Sequence, residues 1–180
     1  NVAKVEAGDI VVFTNNEKGD SQGAQGKGRM MVLINAPCGE VWKHLTTFEK
    51  QHEFMPHLQS ITMYRHEGNL YGLQQTLKIV LKTVTYHVLQ TRDDESHVLR
   101  FELDRSKPND IVETKGSWVL TPHGERKTIA VYQVQVDSGF KVADFLQNFV
   151  MNYDLQNLAQ ALRRRSESGG TYTKSRQRSM

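Results

Sequence analysis

Residues 57–136 alternate between apolar and polar side chains, and this run narrows the choice of fold more than any other part of the chain. It contains six segments rich in β-branched and aromatic residues, at 58–66, 70–80, 82–91, 97–104, 114–121 and 127–136. Short turn-forming stretches such as Glu67-Gly68-Asn69 separate the segments. Because strands joined by such short turns pair as antiparallel neighbours, the pattern predicts a sheet of six antiparallel strands.

The last of these segments indicates that one face of the sheet is buried. Tyr132 and Val134 fall on one side of 127–136, together with Ala130. Gln133 and Gln135 fall on the other side. Such alternation is typical of a strand with one face against an apolar core and the other face in water.

A single long amphipathic segment, residues 140–166, follows the predicted sheet. Its apolar residues recur at helical spacing: Val142, Phe145, Leu146, Phe149, Tyr153, Leu158 and Leu162. The concave face of the twisted sheet is the one place where such a helix can bury its apolar stripe. Since a curved sheet closed by a helix need not be filled by side chains, the order of elements predicts an apolar cavity between them.

The residues before the sheet predict two strands and two short helices. The strands are 9–14 and 29–35, and the turn formers at 15–27 predict a loop between them. Pro37 suits the first position of a helix, and the apolar residues that follow it recur at helical spacing. A second short helix over 49–54 ends before the next proline.

Composition limits the class of protein. The 180 residues suit one domain, and 38% hydrophobic with 24% charged residues excludes a disordered chain. The single cysteine, Cys38, excludes an internal disulfide and a zinc site built from several cysteines. His52 and His57 are separated by a segment that contains a proline, and their spacing does not match a helical zinc-binding motif. The sequence therefore predicts neither a metal site nor a cofactor.

The positive charge of the chain is concentrated at its C-terminus. Residues 163–180 contain six Lys or Arg residues and one Glu, whereas residues 1–162 have a net charge of −2. The nearly neutral body lacks the basic surface typical of nucleic-acid binding, so we expect no nucleic-acid partner. Residues 168–180 predict a solvated, flexible tail, and weak contact of this basic tail with an anionic membrane is the alternative.

Several segments together form a pattern that is similar to a known group of proteins. They are Val32-Leu33-Ile34-Asn35-Ala36-Pro37, Val41-Trp42, Leu45-Thr46-Thr47-Phe48-Glu49, Phe54-Met55-Pro56, Asn109-Asp110 and Gly116-Ser117-Trp118-Val119-Leu120-Thr121-Pro122. The chain resembles the START-related (SRPBCC) superfamily of helix-grip domains, in its bacterial polyketide cyclase/dehydrase-like or coenzyme Q-binding-like branch. The resemblance implies an α+β helix-grip fold over residues 28–167, in which a curved antiparallel sheet wraps around a long C-terminal helix. Residues 1–27 would then be an N-terminal strand and loop extension, and 168–180 the basic tail.

The resemblance also implies a hydrophobic pocket between the sheet and the C-terminal helix. The residues expected to line it are Tyr86, Phe101, Trp118, Ala130, Tyr132, Phe145 and Phe149. Met55 and Leu58, near the short helices, are the expected pocket mouth. Because neighbours on a strand face opposite ways, only one of Tyr86 and His87 points inward, and we expect it to be Tyr86. Arg100 is expected on the wet face of its strand, with a buried anchor for a ligand carboxylate as the alternative.

The function that the resemblance implies is the binding of a hydrophobic or amphipathic small molecule, such as a lipid, a quinone or a polyketide-like compound. Two alternatives stay open: a cyclase-, dehydratase- or aromatase-type enzyme, and a protein-interaction module without a cavity. No Ser/His/Asp arrangement, paired-carboxylate motif or nucleotide fingerprint stands out, so we expect a binding protein and name no catalytic residue. The oligomeric state stays open. The expected compartment is the periplasm if an export signal has been removed, and the cytoplasm otherwise.

Overall fold

A computed structural model of the chain describes residues 2–18, 24–79, 82–137, 139 and 152–174. Within these ranges it contains three α-helices, one 3₁₀ helix and eight strands. In chain order they are α1 Val2–Glu6, β1 Val11–Lys18, β2 Ala24–Ile34, α2 Cys38–Thr46, the 3₁₀ helix Phe48–Glu53, β3 Leu58–Glu67, β4 Leu70–Ile79, β5 Lys82–Asp93, β6 Val98–Leu103, β7 Glu113–Pro122, β8 Thr128–Asp137 and α3 Asn152–Glu167.

The eight strands form one antiparallel sheet in the order β1-β2-β8-β7-β6-β5-β4-β3. Strands β3 to β8 follow one another as a meander, and β2 pairs with β8, with Met30 opposite Tyr132. These six meander strands are the ones that the alternating pattern predicts, and each lies within two residues of its predicted bounds. The open, curved sheet with its C-terminal helix confirms the predicted helix-grip fold.

The N-terminal segment differs from the prediction. The turn formers at 15–27 predict a loop, but β1 continues to Lys18 and β2 begins at Ala24. Strand β2 pairs with β1 on one edge and with β8 on the other, and these two ladders outweigh the low strand propensity of its glycines. A short helix, α1, precedes β1, and its Val5 is fully buried. Residues 2–18 therefore belong to the same folded unit as the rest of the sheet.

Helix α3 packs against β1, β2 and α2. Leu155, Ala159 and Leu162 recur at helical spacing along it and are at most 3% exposed. The sequence predicts a longer helix, and the first part of that prediction, residues 140–151, lies outside the described residues. Of the helices that the structure describes, none has the length and the apolar character needed to cross a membrane.

The end of α3 has the hydrogen bonds of a Schellman motif. The Gly170 N–H donates to the Arg165 carbonyl at 2.8 Å. The Gly169 N–H donates to the Ser166 carbonyl at 3.2 Å, and Gly169 has a φ of 61°, in the left-handed region that glycine tolerates. This motif ends the helix and turns the chain away from the helix axis.

The residues after this turn pack against the folded body. Tyr172 contacts the hydrophobic core, and the Lys174 ammonium donates to the Met55 carbonyl at 3.1 Å. The sequence assigns 168–180 to a flexible tail, but the structure places 168–174 on the body because the helix-ending turn directs them there. Residues 175–180 lie outside the described residues.

Gly116, on β7, has no side chain, and atoms of neighbouring residues occupy the place where a Cβ atom would lie. A Cβ atom there would lie 2.0 Å from the Gln133 carbonyl oxygen and 2.6 Å from Phe101 Cζ. We expect Gly116→Ala to lower the free energy of unfolding by about 1–3 kcal/mol, because the strand pair and the Phe101 ring must both move. Gly39→Ala is the control, since nothing lies within 4 Å of that position in α2. Urea unfolding measures both variants, and an equal loss in the two would contradict this account of Gly116.

Candidate functional site

A cavity of about 140 Å³ lies between the sheet, the short helical segment after α2, and helix α3. Its position matches the prediction of a cavity between the sheet and the C-terminal helix. Most of its wall is apolar, and each of these parts of the fold contributes side chains. The described residues that line it are Gln51, Met55, Pro56, His57, Leu58, Gln75, Leu77, Tyr86, Val88, Gln90, Leu99, Phe101, Thr114, Trp118, Tyr132, Val134, Asp154, Leu155 and Leu158.

The alternation along β5 and β6 decides which side chains face the cavity. Tyr86 lines it, as the sequence predicts. His87 points away, and its Nδ1 lies 2.9 Å from the Pro108 carbonyl oxygen. On β6, Phe101 lines the cavity and Arg100 is exposed on the opposite face. The alternative in which Arg100 is a buried anchor for a ligand carboxylate is therefore wrong.

Three aromatic rings form one side of the cavity. The Trp118 and Tyr132 ring centroids lie 4.6 Å apart, because the two residues are directly paired across β7 and β8. The Phe101 and Tyr132 rings are nearly parallel, with their centroids 6.0 Å apart. The Phe101 ring can take this position because residue 116 is a glycine, since a side chain there would meet the ring. The result is a continuous aromatic surface over β6, β7 and β8.

Tyr86 and Tyr132 have accessible surface that faces the interior of the protein. Both side chains are half-buried. Burial nevertheless raises the pKa of each hydroxyl far above the ordinary tyrosine value, and the pKa of Tyr132 is raised further by Tyr86. A side chain that is deeply enclosed and still accessible borders a cavity rather than bulk solvent. At neutral pH both hydroxyls are therefore protonated and available as hydrogen-bond donors.

Polar side chains interrupt the apolar wall at a few points. Gln51 is satisfied, since its Nε2 donates to the Leu45 carbonyl at 2.6 Å. Gln90 is 6% exposed, and its Oε1 has no hydrogen-bond partner among the residues that the structure describes. Thr114, on β7, is 5% exposed. Apart from the paired His57 and Asp154, the wall is therefore apolar with a small number of uncharged polar groups.

His57 and Asp154 link the sheet to α3 at one end of the cavity. His57 has a φ of 62°, a conformation that residues other than glycine rarely adopt. Its Nε2 lies 3.1 Å from Asp154 Oδ1, in the first turn of α3. The hydrogen bond that the His57 ring donates to Asp154 raises the pKa of His57 despite the opposing effect of burial, and a backbone hydrogen bond with Lys78 raises it further. These bonds favour the protonated ring and hold it against Asp154, so His57 links the sheet to α3.

The raised pKa of His57 predicts that this link weakens as the pH rises. Below the ordinary histidine pKa of 6.5 the ring is protonated in the folded and unfolded states, and the pair stabilises the fold fully. That contribution, about 1 kcal/mol for a partly exposed pair, is lost as the pH rises through the higher folded-state pKa. In an NMR titration, Asp154→Asn should lower the pKa of His57. Glu125→Gln, which removes an exposed carboxylate, should not change it, and an unchanged pKa in Asp154→Asn would contradict the assignment.

Met55 and Leu58, the predicted pocket mouth, line the cavity next to His57. They are 7% and 4% exposed, so they are part of its wall. The Lys174 ammonium donates to both of their backbone carbonyls, and burial lowers the pKa of this ammonium. The segment after α3 therefore covers the two residues at which the sequence predicts the entrance.

The structure places four of the predicted lining residues on the cavity wall: Tyr86, Phe101, Trp118 and Tyr132. The prediction is wrong for Ala130, which is fully buried between its paired residues Val32 and Leu120 and does not border the cavity. Core side chains already fill the space around it. Phe145 and Phe149 lie outside the described residues. That any of these residues contacts a ligand stays a prediction.

Sequence reasoning missed most of the polar residues of the wall. Gln90 shares a strand face with Tyr86, and Thr114 shares one with Trp118, so the period of two could have found both. His57 and Asp154 are 97 residues apart, and no local pattern indicates their contact.

The remaining candidate groups lie away from the cavity. Cys38 is 8% exposed, and its Sγ lies 3.5 Å from His97 Nδ1. Burial raises the pKa of this thiol, which is opposite to what a nucleophilic cysteine requires. Across the described part of the chain, no three His, Cys, Asp or Glu side chains are grouped so that they could hold a metal ion. The alternative of an interaction module without a cavity is contradicted by the cavity itself.

A family model described as polyketide cyclase/dehydrase and lipid transport matches residues 25–167. This range extends from β2 to the end of α3 and includes every described residue that lines the cavity. A search of curated protein sequences gives no match.

Solved structures share the fold. The STAR-related lipid transfer protein from Xanthomonas axonopodis has a TM-score of 0.71 at 18% identity, over 87% of this chain and 93% of that one. TTHA0849 from Thermus thermophilus has a TM-score of 0.69 at 19% identity, over 81% of this chain and 99% of that one. Zhui aromatase/cyclase from Streptomyces has a TM-score of 0.64 at 13% identity, over 91% of this chain and 100% of that one. These likenesses establish the fold, and the family match over most of the sequence shows that the chain belongs to the polyketide cyclase/dehydrase and lipid transport family of the START/SRPBCC superfamily.

Proposed function

We propose that this protein binds a hydrophobic or amphipathic small molecule in the cavity between the sheet and α3. The observation that supports this most is the aromatic wall, where Phe101, Tyr86 and Tyr132 keep accessible surface inside the protein. Wall atoms that border empty space lack van der Waals partners, and an apolar ligand supplies them. Two structures with the same fold are named a lipid transfer protein and an aromatase/cyclase, which is consistent with a lipid or a polyketide-like ligand.

A second candidate function is that of a cyclase- or dehydratase-type enzyme acting on a polyketide-like substrate. The observation that favours it is the pair of protonated hydroxyls of Tyr86 and Tyr132, which can donate hydrogen bonds to a substrate carbonyl. Such a reaction also needs a base, and the described lining residues offer only His57 and Asp154, which are engaged with each other. Binding without a reaction is therefore the function that we place first.

Mass spectrometry tests the proposed binding. The purified protein is incubated with a total organic extract of cells, repurified and extracted again with organic solvent. We expect an apolar compound in roughly equimolar amount with the wild-type protein. The control is Leu158→Trp, whose indole would occupy the cavity, and it should recover little of the same compound. Equal recovery by both proteins, or none by either, would contradict the proposal.

The predicted contact of the basic C-terminal residues with an anionic membrane is a separate proposal. Three of the six basic residues of 163–180 lie in α3, and Lys174 packs on the body. Vesicle sedimentation with and without residues 175–180 tests it. We expect weak binding to anionic vesicles that the truncation removes, and binding that survives the truncation would contradict it.

A further inference from the structure

We infer that the ligand of this cavity is an uncharged ring compound with a hydrogen-bonding group, such as a phenol or a hydroxyketone, and that Gln90, Tyr86 and Tyr132 bind that group. The inference rests on the proposed function and specifies the chemistry of its ligand. It follows from three properties of the wall: an unsatisfied amide oxygen, two tyrosine hydroxyls that form no hydrogen bond with another described residue, and the absence of unpaired charge among the described lining residues.

Gln90 supplies the first argument. The side chain is more than nine-tenths buried and lines the cavity from the second half of β5. Its Oε1 has no hydrogen-bond partner in the described part of the chain. Leaving such an atom unpaired costs free energy, and native proteins pair the large majority of their buried polar atoms. A ligand hydroxyl or N–H that donates to Gln90 would remove this cost.

The two tyrosines supply the second argument. Tyr86 and Tyr132 both line the cavity, and their rings keep accessible surface there. The described residues provide no hydrogen bond to either hydroxyl, and Tyr86 lies close enough to Tyr132 to raise the pKa of its hydroxyl. A tyrosine hydroxyl both donates and accepts, so the pair can bind a ligand carbonyl or a ligand hydroxyl.

The charge of the wall excludes ionic ligand groups. His57 and Asp154 are the only His, Asp, Glu, Lys or Arg residues among its described lining residues, and they pair with each other at 3.1 Å. A carboxylate or phosphate inside the cavity would therefore lose its water without gaining a cation, which is far more costly than burying a neutral hydroxyl. The arrangement selects an uncharged polar group.

The shape of the wall favours a ring. Phe101, Tyr132 and Trp118 present adjoining aromatic faces, against which a flat ring packs better than a flexible chain. The volume of about 140 Å³ is similar to that of engineered cavities that admit a benzene-sized molecule. One substituted ring therefore matches the cavity in volume.

Three probes with one common frame test the inference: p-cresol, p-xylene and p-toluate at pH 7. They differ only in a neutral hydroxyl, a methyl group or a carboxylate on the same methyl-substituted ring. A cavity without polar partners binds p-xylene best, because burying an unpaired hydroxyl is unfavourable. We expect the opposite order in NMR titrations of the purified protein, with p-cresol bound about tenfold more tightly than p-xylene and p-toluate not bound.

Variants then locate the hydrogen-bonding group. Gln90→Leu should remove the preference for p-cresol, and Gln74→Leu is its control, because Gln74 is exposed on the opposite face of β4. Tyr86→Phe and Tyr132→Phe each remove a single oxygen atom, so they test the two hydroxyls with little risk to folding. Each of the two should weaken p-cresol binding several-fold and leave p-xylene binding unchanged.

Each result of these titrations either supports the inference or overturns it. Tighter binding of p-cresol that depends on Gln90 and not on Gln74 supports the inference. Equal or tighter binding of p-xylene by the wild-type protein overturns it and leaves the proposed function intact, because the cavity still takes an apolar molecule. Binding of p-toluate as tightly as p-cresol overturns the uncharged character. If none of the probes binds, the inference fails, and the organic-extract experiment shows separately whether the proposed function fails with it.

Discussion

Leu158→Trp is expected to abolish the binding of p-cresol while the protein stays folded. Leu158 lies on α3, lines the cavity and keeps intermediate exposure, so its side chain borders open space. An indole at this position extends into a cavity of about 140 Å³ and occupies the volume that a ligand needs. Filling a cavity removes unfavourable empty space, whereas overpacking of a full core costs about 1–3 kcal/mol. The melting temperature should therefore change by no more than about 5 °C.

The control for this variant is Gln156→Trp, which adds the same indole to an exposed position of the same helix. Isothermal titration calorimetry compares p-cresol binding by the two variants, and thermal unfolding compares their stabilities. Unaltered binding in Leu158→Trp would mean that the ligand lies elsewhere. A large loss of stability in Leu158→Trp alone would mean that this part of the structure is packed core.

Phe54→Ala is expected to cause the largest loss of stability. Phe54 is 1% exposed and lies directly after the 3₁₀ helix. The Arg165 guanidinium lies 5.2 Å from its ring centroid and also donates to Glu53 Oε2 at 2.6 Å and to the Tyr172 carbonyl at 2.8 Å. Removing the ring leaves an apolar cavity next to the buried Arg165 guanidinium. Phe→Ala substitutions in protein cores lower the free energy of unfolding by about 3–5 kcal/mol. We expect the melting temperature to fall by about 10 °C.

Phe13→Ala is the matched control, because Phe13 is 46% exposed on β1. It should change the free energy of unfolding by about 0.5 kcal/mol or less. Urea unfolding monitored by circular dichroism measures both variants. Similar small losses in the two would contradict the role of Phe54 in joining the short helical segment to α3.

The sheet was predictable because burial of one face imposes a pattern that can be read along each strand. Tyr132 and Val134 face the interior while Gln133 and Gln135 do not, as their alternation indicates. Strand β2 was harder to predict, since its stability depends on pairing with β1 and β8, which lie on either side of it. Turn-forming residues there form a strand because neighbouring backbones are available to them.

The cavity wall was predictable only in part. The inward position of large aromatic side chains such as Phe101 and Trp118 can be predicted from the alternation of residues along each strand. Whether an inward residue borders open space or packed core depends on the side chains opposite it, and this is why Ala130 proved to be core. The contact between His57 and Asp154 joins distant parts of the chain and has no sequence signal.

Methyl NMR with p-cresol tests the central claim, that the space between the sheet and α3 is a binding site. Leu77, Val88 and Leu99 have methyl groups at the cavity. Their counterparts on the opposite face of the sheet are Val98, Val119 and Val131, which lie side by side on β6, β7 and β8. We predict chemical-shift changes at the first group and none at the second. Changes confined to the outer valines, or spread equally over both faces, would contradict the account.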